Sequence, residues 1–522
     1  MHASQAARRT SGSTLSRSHW TCSACRISRR FYAQKPKPDE PERERAPAPD
    51  HRRLGLQQEL FMTSAYSPGS PIFLPNGARV FNRLVDFLRK QYVRYGFQEV
   101  ITPTMYKKAL WAKSGHLQNY ADDMYTVTGA KDDAADEGEC HGGVHSSRAT
   151  APCADSSAGG RACDEQGGVG GEEDYGLKPM NCPGHCLIFA SKVHSYRDLP
   201  VRFADFSALH RNEISGALSG LTRVRRFHQD DGHIFCRPCQ VADEIENTLD
   251  FVKTVYGVLQ LGVEGGGGGG YRLALSTRPK DHFVGTADEW DRAEEQLKRA
   301  LDRSGLSWSI NEGDGAFYGP KIDIVVRDSD GKEHQTATVQ LDFQLPKRFE
   351  LEYQAPAPEY EARGESTDDA ALLAEYGPVR PVMIHRAVLG SVERLMALLI
   401  ESYNGKWPFW LNPRQAIILT VNTSPPVLDW AAQIKDVLLG LRQDADQPPP
   451  KGPVNPTGLA VDIDFTARPL GSKIRDARSS GYGQILVVGE EDVKNRQVSL
   501  GKERMNPAEL RERLRSMVDA FQ

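Results

Sequence analysis

The chain has 522 residues, a net charge of −4 and a pI of about 6.4. This length allows about two to four domains. The weakly acidic net charge excludes a protein that binds nucleic acid through a uniformly basic surface, so any RNA contact must come from local basic patches. No apolar run approaches the roughly 20 residues that a membrane-spanning helix needs, which predicts a soluble protein.

The N-terminal segment has a composition of its own. Residues 1–38 contain eight Lys or Arg residues and no acidic residue, the first of which is Asp39. This composition is typical of a mitochondrial transit peptide, with a generic disordered basic tail as the alternative. Residues 39–53 are rich in Pro and charged residues and predict a linker. We expect ordered structure from Leu54.

The first ordered elements are a helix and a short strand. From Arg79 to Phe97 apolar residues recur at helical spacing, and the run GFQEVITP then predicts a strand ended by Pro103. Residues 129–175 are rich in Gly, Ala, Ser and acidic residues, which predicts a disordered insertion. The three cysteines and two histidines within this insertion fit no common metal-binding spacing.

Residues 177–236 carry the strongest chemical signals. They include an arginine-rich loop between two strand-like runs. Such a loop can bind a polyphosphate, because each guanidinium group can donate two hydrogen bonds to phosphate oxygens. Cys182 and His233 can meet only through tertiary structure, and His385 is a candidate third ligand. A Cys/His/His set leaves one position open on a tetrahedral zinc ion, which is typical of a catalytic rather than a structural zinc.

A four-cysteine zinc site is the alternative use of these cysteines. It would combine Cys182 and Cys186 with the C-x-x-C pair Cys236 and Cys239. A single C-x-x-C is weak evidence for zinc, and Cys186 falls inside an apolar, helix-like run. The nine cysteines otherwise lack the spacing of a disulfide framework, which favours a reducing compartment.

The remaining elements follow in chain order. An amphipathic helix is predicted at 243–261, a glycine-rich surface insertion at 262–270 and a second helix at 291–304, with strand-like runs between and after them. The run WPFWLNP at 407–413 has the composition of a hinge. Beyond it, strands and helices alternate, which predicts a small α/β domain.

Four of these runs resemble a known family when taken together. MNCPGH, HRNEISG, RVRRFHQDDGHIFC and HRAVLGSVERL are similar to the motifs of threonyl-tRNA synthetases, which are class II aminoacyl-tRNA synthetases. The resemblance implies an α+β fold, with an antiparallel-sheet catalytic domain at 54–406 and a small α/β anticodon-binding domain at 407–522. It also implies a homodimer built on the helix that begins near Arg79 and on the strand that follows it.

The resemblance assigns site residues as well. It implies one Zn²⁺ per subunit on three side chains, namely Cys182, His233 and His385. It implies an ATP site, used with Mg²⁺, that includes Arg211, Glu213, Arg223, Phe227, Lys321, Gln335, Ser391 and Arg394. It implies a threonine site that includes Met180, Gln229, Asp231, Tyr318 and Gln340. The expected catalytic residues are Arg211, Arg394, Lys321 and His116, the last as the base for transfer to tRNA.

The implied reaction is the ATP-dependent ligation of threonine to tRNA(Thr) through a threonyl-adenylate, in the mitochondrial matrix. Zinc would help because a hydrophobic pocket separates threonine from valine by only about 10²-fold. Only about 50 residues precede the core, so no N-terminal editing domain is expected. One alternative is a prolyl- or seryl-tRNA synthetase. Another is a non-catalytic synthetase-like protein, in which loss of Arg211 or Arg394 would be expected.

Overall fold

The computed structural model describes residues 48–128, 174–261, 271–281, 283–327 and 332–522. The predicted transit peptide, nearly all of the insertion at 129–175 and the glycine-rich insertion at 262–270 lie outside the described residues. The linker predicted for 39–53 extends too far, because a helix begins at His51 and the side chain of His51 is buried.

Helices and strands are interspersed along the whole described part of the chain. Within the described residues, the helices are α1 (His51–Gln57), α2 (Pro75–Tyr95), α3 (Lys108–Ser114), α4 (His116–Tyr120), α5 (Cys182–Ala190), α6 (Val241–Val258), α7 (Ala287–Ser304), α8 (Gln344–Arg348), α9 (Pro358–Arg363), α10 (Ala370–Ala374), α11 (Val392–Ser402), α12 (Pro425–Leu439), α13 (Leu470–Ser479), α14 (Glu490–Asn495) and α15 (Pro507–Asp519). The strands of the N-terminal half are β1 (Phe61–Met62), β2 (Ile72–Phe73), β3 (Gln98–Glu99), β4 (Met105–Lys107), β5 (Thr126–Val127), β6 (Tyr175–Leu177), β7 (Val201–Asp205), β8 (Ala208–His210), β9 (Arg226–His228) and β10 (Asp231–Cys236). The later strands are β11 (Arg272–Ser276), β12 (Trp308–Asn311), β13 (Lys321–Arg327), β14 (Glu333–Asp342), β15 (Tyr353–Pro356), β16 (Tyr376–Val379), β17 (Val382–Ala387), β18 (Ala416–Thr420), β19 (Val461–Asp464), β20 (Gln484–Val488), β21 (Val498–Leu500) and β22 (Glu503–Met505).

Local sequence signals set the ends of the long helix α2. Pro75 occupies its first turn, where the missing backbone N–H would have had no helical partner. Gly96 ends it with φ of 70°, a left-handed conformation that glycine adopts without strain. The helix buries Val80, Leu84 and Leu88 on one face, as the apolar spacing predicted.

The largest sheet has eight strands in the order β12-β11-β13-β14-β17-β10-β7-β3. Its neighbours are antiparallel except at the two edges, where β12 pairs with β11 and β3 with β7 in parallel. Alternate side chains of a strand point to opposite faces. One face of this sheet is apolar and packs into the main core, to which Ile322, Leu341 and Ile384 contribute. The other face carries the polar residues of the candidate site.

Two strand predictions differ from the structure in detail. The strand-like run before the arginine-rich loop, at 202–209, is two strands in the structure, because β8 leaves the large sheet and pairs with β9 as a separate hairpin. Tyr175 belongs to β6 rather than to the predicted insertion, and β6 pairs antiparallel with β5. The insertion therefore connects two paired strands.

The four-cysteine zinc alternative is wrong because its members lie on opposite faces of β10. Cys236 packs into the main core beside Ile234. Cys182 and Cys186 pack on the other face, in a smaller cluster with Phe235. The alternation of side chains along a strand thus separates Cys236 from Cys182 and Cys186.

The C-terminal part forms a five-stranded sheet in the order β19-β18-β20-β21-β22, with its own core under α12 and α15. The segment at 407–413 is packed rather than hinge-like, since Trp407, Trp410 and Leu411 are buried in the main core. Across the described ranges, no helix combines the length and the apolar character needed to cross a membrane.

Candidate active site

The polar face of the large sheet carries a row of predicted site residues. Strand register sets Lys321 opposite Gln340, Gln340 opposite His385, and His385 opposite His233. Neighbouring strands lie about 4.8 Å apart, so four side chains assigned to ATP, threonine and zinc stand side by side. The sequence separates these residues widely, and only strand pairing brings them together.

Cys182 joins this row from outside the sheet. It is the first residue of α5, and the ligand atoms of Cys182, His233 and His385 all lie within 4.8 Å of one another. All three residues are buried. The structure therefore brings together the predicted zinc ligands.

Neighbouring groups orient the two histidine rings. His385 Nε2 donates to Asp342 Oδ2 at 2.8 Å, which leaves the Nδ1 lone pair directed towards His233 Nε2, 3.0 Å away. His233 Nδ1 lies 2.7 Å from His185 Nδ1. A carboxylate that receives the distal N–H of a histidine is the usual support of a metal-bound imidazole.

Sequence reasoning missed Asp342 and His185. Asp342 lies two residues after Gln340 on the same strand, so both side chains point to the same face. His185 lies one helical turn after Cys182 on α5. Both positions follow from element periodicity once the strand and the helix are known, and this signal was present in the sequence.

The donor set fits a zinc ion. Burial raises the pKa of the Cys182 thiol and lowers the pKa of His233, so neither group carries charge readily without a cation. The sulfur of Cys182 and one ring nitrogen from each histidine lie within 4.8 Å of one another, and they match the ligands that zinc takes, with one position left open. Burial also raises the pKa of Asp231 to about 6, and this carboxylate accepts the N–H of Asn181.

A small pocket opens beside the metal candidates. Its walls include Cys182, His385, Tyr318 and His116. The Tyr318 hydroxyl donates to Gln340 Oε1 at 2.5 Å, which links two of the predicted threonine residues.

The other predicted threonine residues lie nearby on different elements. Met180 is half-buried against the small cluster that contains Cys182. Gln229 forms an isolated antiparallel bridge with Ser391 and so lies where the hairpin strand meets the start of α11. Asp231 begins β10, two residues before His233.

The β8–β9 hairpin carries the predicted ATP residues. Glu213 accepts from Arg223 at 2.7–2.8 Å across the loop. The Arg211 guanidinium lies over the Phe227 ring, 5.0 Å from its centroid. Arg394 Nε donates to the Thr222 carbonyl at 3.0 Å and so ties α11 to the same loop.

Ser391 and Lys321 have structural partners as well as predicted ligand roles. The Ser391 hydroxyl accepts the Arg394 backbone N–H and caps α11. Lys321 Nζ lies 2.9 Å from Asp323 Oδ2, and Gln335 donates to the other oxygen of that carboxylate. Asp323, which sequence reasoning missed, therefore orients both residues that were assigned to ATP on β13 and β14.

His116 lies in the wall of the same cavity as His385. It is 3% exposed, and its Nδ1 is 2.7 Å from the Ser114 hydroxyl. Burial lowers the pKa of His116 to about 4, so the imidazole is neutral at pH 7. A neutral imidazole is the form that can accept a proton.

Comparisons with known proteins bear on this site. The family model for the tRNA synthetase class II core domain (G, H, P, S and T) matches residues 169–363. The chain is 48% identical to the probable mitochondrial threonine–tRNA ligase of Schizosaccharomyces pombe, covering 85% of this chain and 82% of that one. It is 44% identical to the mitochondrial threonine–tRNA ligase of Saccharomyces cerevisiae, with 91% of each chain covered.

A solved structure agrees with these relatives. The structure of the RNA binding domain of threonyl-tRNA synthetase from Cryptosporidium parvum Iowa II matches with a TM-score of 0.70 at 39% identity, covering 90% of this chain and 98% of that one. These findings confirm the expected α+β class II fold and enzyme class, and they do not support the prolyl, seryl or non-catalytic alternatives. The chain belongs to the threonine–tRNA ligases, a family of class II aminoacyl-tRNA synthetases.

Proposed function

We propose that the chain activates threonine as an adenylate with ATP and then passes the threonyl group to tRNA(Thr). The observation that carries this proposal is the row from Lys321 through Gln340 and His385 to His233, which sets candidate nucleotide, amino-acid and metal side chains next to one another on one sheet face. An enzyme that joins an amino acid to ATP needs these functions within one site.

In the first step the threonine carboxylate attacks the α-phosphate of ATP and pyrophosphate leaves. Arg211 would hold the α-phosphate, and Arg394 would hold the triphosphate together with the Mg²⁺ that accompanies ATP. Lys321, held by Asp323, adds a third positive charge. Cations fixed in advance on strands and a helix stabilise charge that develops at phosphorus without further rearrangement.

Threonine selection is assigned to the cavity beside Cys182, His233 and His385. Zinc on these three ligands would remain open to the amino and hydroxyl groups of threonine, and valine lacks the hydroxyl. Asp231 would accept the threonine hydroxyl hydrogen bond. The remaining threonine contacts would come from Tyr318, which lines the cavity, and from Met180, Gln229 and Gln340.

Transfer to tRNA needs a base near the adenylate, and His116 is the candidate. Its support is its place in the cavity wall together with a neutral ring at pH 7. The Ser114 hydroxyl, 2.7 Å from Nδ1, would orient the ring.

Domain roles and partners complete the proposal. Residues 54–406 would form the catalytic domain, and residues 407–522 would bind the anticodon of tRNA(Thr). A homodimer is supported by β3, which is an edge strand of the large sheet, and by Ile101, which follows it and is 89% exposed. The basic segment 1–38 and the mitochondrial relatives support location in the mitochondrial matrix.

The experiment that tests the proposed function is ATP–pyrophosphate exchange with a panel of amino acids. Threonine should support rapid exchange, serine weaker exchange, and valine and proline almost none. Threonine should then be attached to tRNA(Thr) and not to total tRNA from which tRNA(Thr) has been removed. Exchange that proceeds as well with proline or valine as with threonine would contradict the proposal.

A further inference from the structure

His51 lies outside both motifs that carry the predicted ATP residues, yet it contacts both. It begins α1, is 5% exposed, and lies between the last turn of α11 and the β8–β9 loop. Its Nδ1 is 2.6 Å from Glu401 Oε1, and the Leu221 backbone N–H donates to its Nε2 at 3.2 Å.

These two contacts determine which ring nitrogen carries the proton. A backbone N–H can only donate, so Nε2 of His51 must accept from Leu221. A neutral imidazole then carries its proton on Nδ1, which donates to Glu401. The same Glu401 oxygen also accepts the His51 backbone N–H at 3.2 Å.

The backbone that His51 holds leads directly to the ATP residues. Leu221 is followed by Thr222, whose carbonyl accepts from Arg394, and then by Arg223, which pairs with Glu213. The His51 ring thus holds the backbone at Leu221, next to the residue that contacts Arg394 and to Arg223 itself. Gly220 fits this arrangement, since it has φ of 47° and a Cβ there would overlap the His51 ring.

A metal ion is the competing occupant of this cluster. Ligand atoms of Asp50, His51 and Glu401 lie within 4.8 Å of one another. Both ring nitrogens of His51 already take part in hydrogen bonds, however, and Asp50 caps α1 by accepting the Arg52 N–H at 2.8 Å. No ring lone pair is left for a cation.

We infer that His51 is a positioning residue for ATP: bridged to Glu401, it holds the Leu221 amide so that the β8–β9 loop and α11 grip the nucleotide together. The inference rests on the proposed function, because ATP is what the loop is taken to bind. It adds a residue from the segment before the catalytic motifs to the machinery that binds the nucleotide.

Two conservative substitutions separate the two halves of the bridge. In His51→Gln the side-chain oxygen can take the place of Nε2 and accept from Leu221. In His51→Asn the side-chain amide can take the place of Nδ1 and donate to Glu401, but it does not reach Leu221. Gln57→Ala, on the exposed side of α1, is the matched control.

The assay is threonine-dependent ATP–pyrophosphate exchange by the full chain. His51→Asn should raise the KM for ATP about three- to tenfold, the effect of one hydrogen bond, and leave the KM for threonine unchanged. His51→Gln and the control should keep the parent KM for ATP. The inference is overturned if His51→Asn leaves the KM for ATP unchanged, if both KM values rise together, or if the Gln variant is as impaired as the Asn variant.

Hydrogen exchange on the unsubstituted chain tests the same contact without relying on a variant that folds. The Leu221 amide should exchange slowly, and fast exchange would overturn the inference. A parent chain without threonine-dependent exchange activity would instead refute the proposed function.

Discussion

Asp342→Asn is expected to weaken zinc binding about 10- to 100-fold, the effect usually seen when the hydrogen-bond partner of a metal-bound histidine is changed. Asp342 is fully buried, so no water can replace a lost bond. One oxygen accepts from His385 Nε2 at 2.8 Å, and the other accepts the backbone N–H groups of Gln344 and Leu345 at 2.6 and 3.0 Å.

An asparagine cannot satisfy both sides of this arrangement. If its amide oxygen faces the two backbone N–H groups, its NH₂ group faces the N–H of His385, and donor meets donor. His385 can restore the bond only by moving its proton to Nδ1, which removes the lone pair that faces His233 Nε2. In the opposite amide orientation, the NH₂ group would face the backbone N–H groups of Gln344 and Leu345, which are also donors.

Competition with a chromophoric chelator measures this loss of zinc affinity. A 10- to 100-fold change corresponds to about 1.4–2.7 kcal/mol. Asp323→Asn is the matched control, because it makes the same substitution on the same face of the sheet. The Asp323 carboxylate accepts from Lys321 and Gln335 rather than from a histidine, so zinc affinity should not change. Parent-like zinc affinity in Asp342→Asn would show that this carboxylate does not support a zinc-bound His385.

Three further predictions concern a buried ion pair on the core side of the large sheet and two residues of the site. Arg386→Met should lower the free energy of unfolding by about 3–5 kcal/mol, because Arg386 and its partner Asp230 are fully buried and the Asp230 carboxylate would lose its positive partner. A loss below about 1 kcal/mol in urea denaturation would contradict this prediction. Tyr318→Phe should raise the KM for threonine about three- to tenfold and leave the KM for ATP unchanged, because it removes the hydrogen bond to Gln340; equal changes in both KM values would argue against a role at threonine. His116→Gln should slow transfer to tRNA about 10²- to 10⁴-fold while pyrophosphate exchange continues, and single-turnover transfer at the parent rate would exclude it as the base.

Much of the fold could be predicted because its signals are local. The apolar spacing of α2 and the alternation of β14 follow from which faces are buried. The three predicted zinc ligands could be found because a cysteine and histidines in recognisable motifs are distinctive. The burial of the segment at 407–413 was missed, since its proline and aromatic residues are equally compatible with a hinge and with a packed connection.

The supporting residues of the site could not all be predicted, for a physical reason. Asp342 and His385 are far apart in sequence, and the bond between them exists only because β14 and β17 pair in one particular register. His51 shows the same limit more strongly. The composition of residues 39–53 predicted that His51 lies in a linker. Its role depends on α1 packing between α11 and the β8–β9 loop.

We expect Cys182, His233 and His385 to share one zinc ion that selects threonine. The most direct test is metal analysis of the purified chain and of Cys182→Ala. The parent should contain one zinc per chain and the variant almost none, with threonine-dependent exchange lost in proportion to the zinc. A parent chain that activates threonine without zinc, or a Cys182→Ala variant that keeps its zinc, would contradict the account.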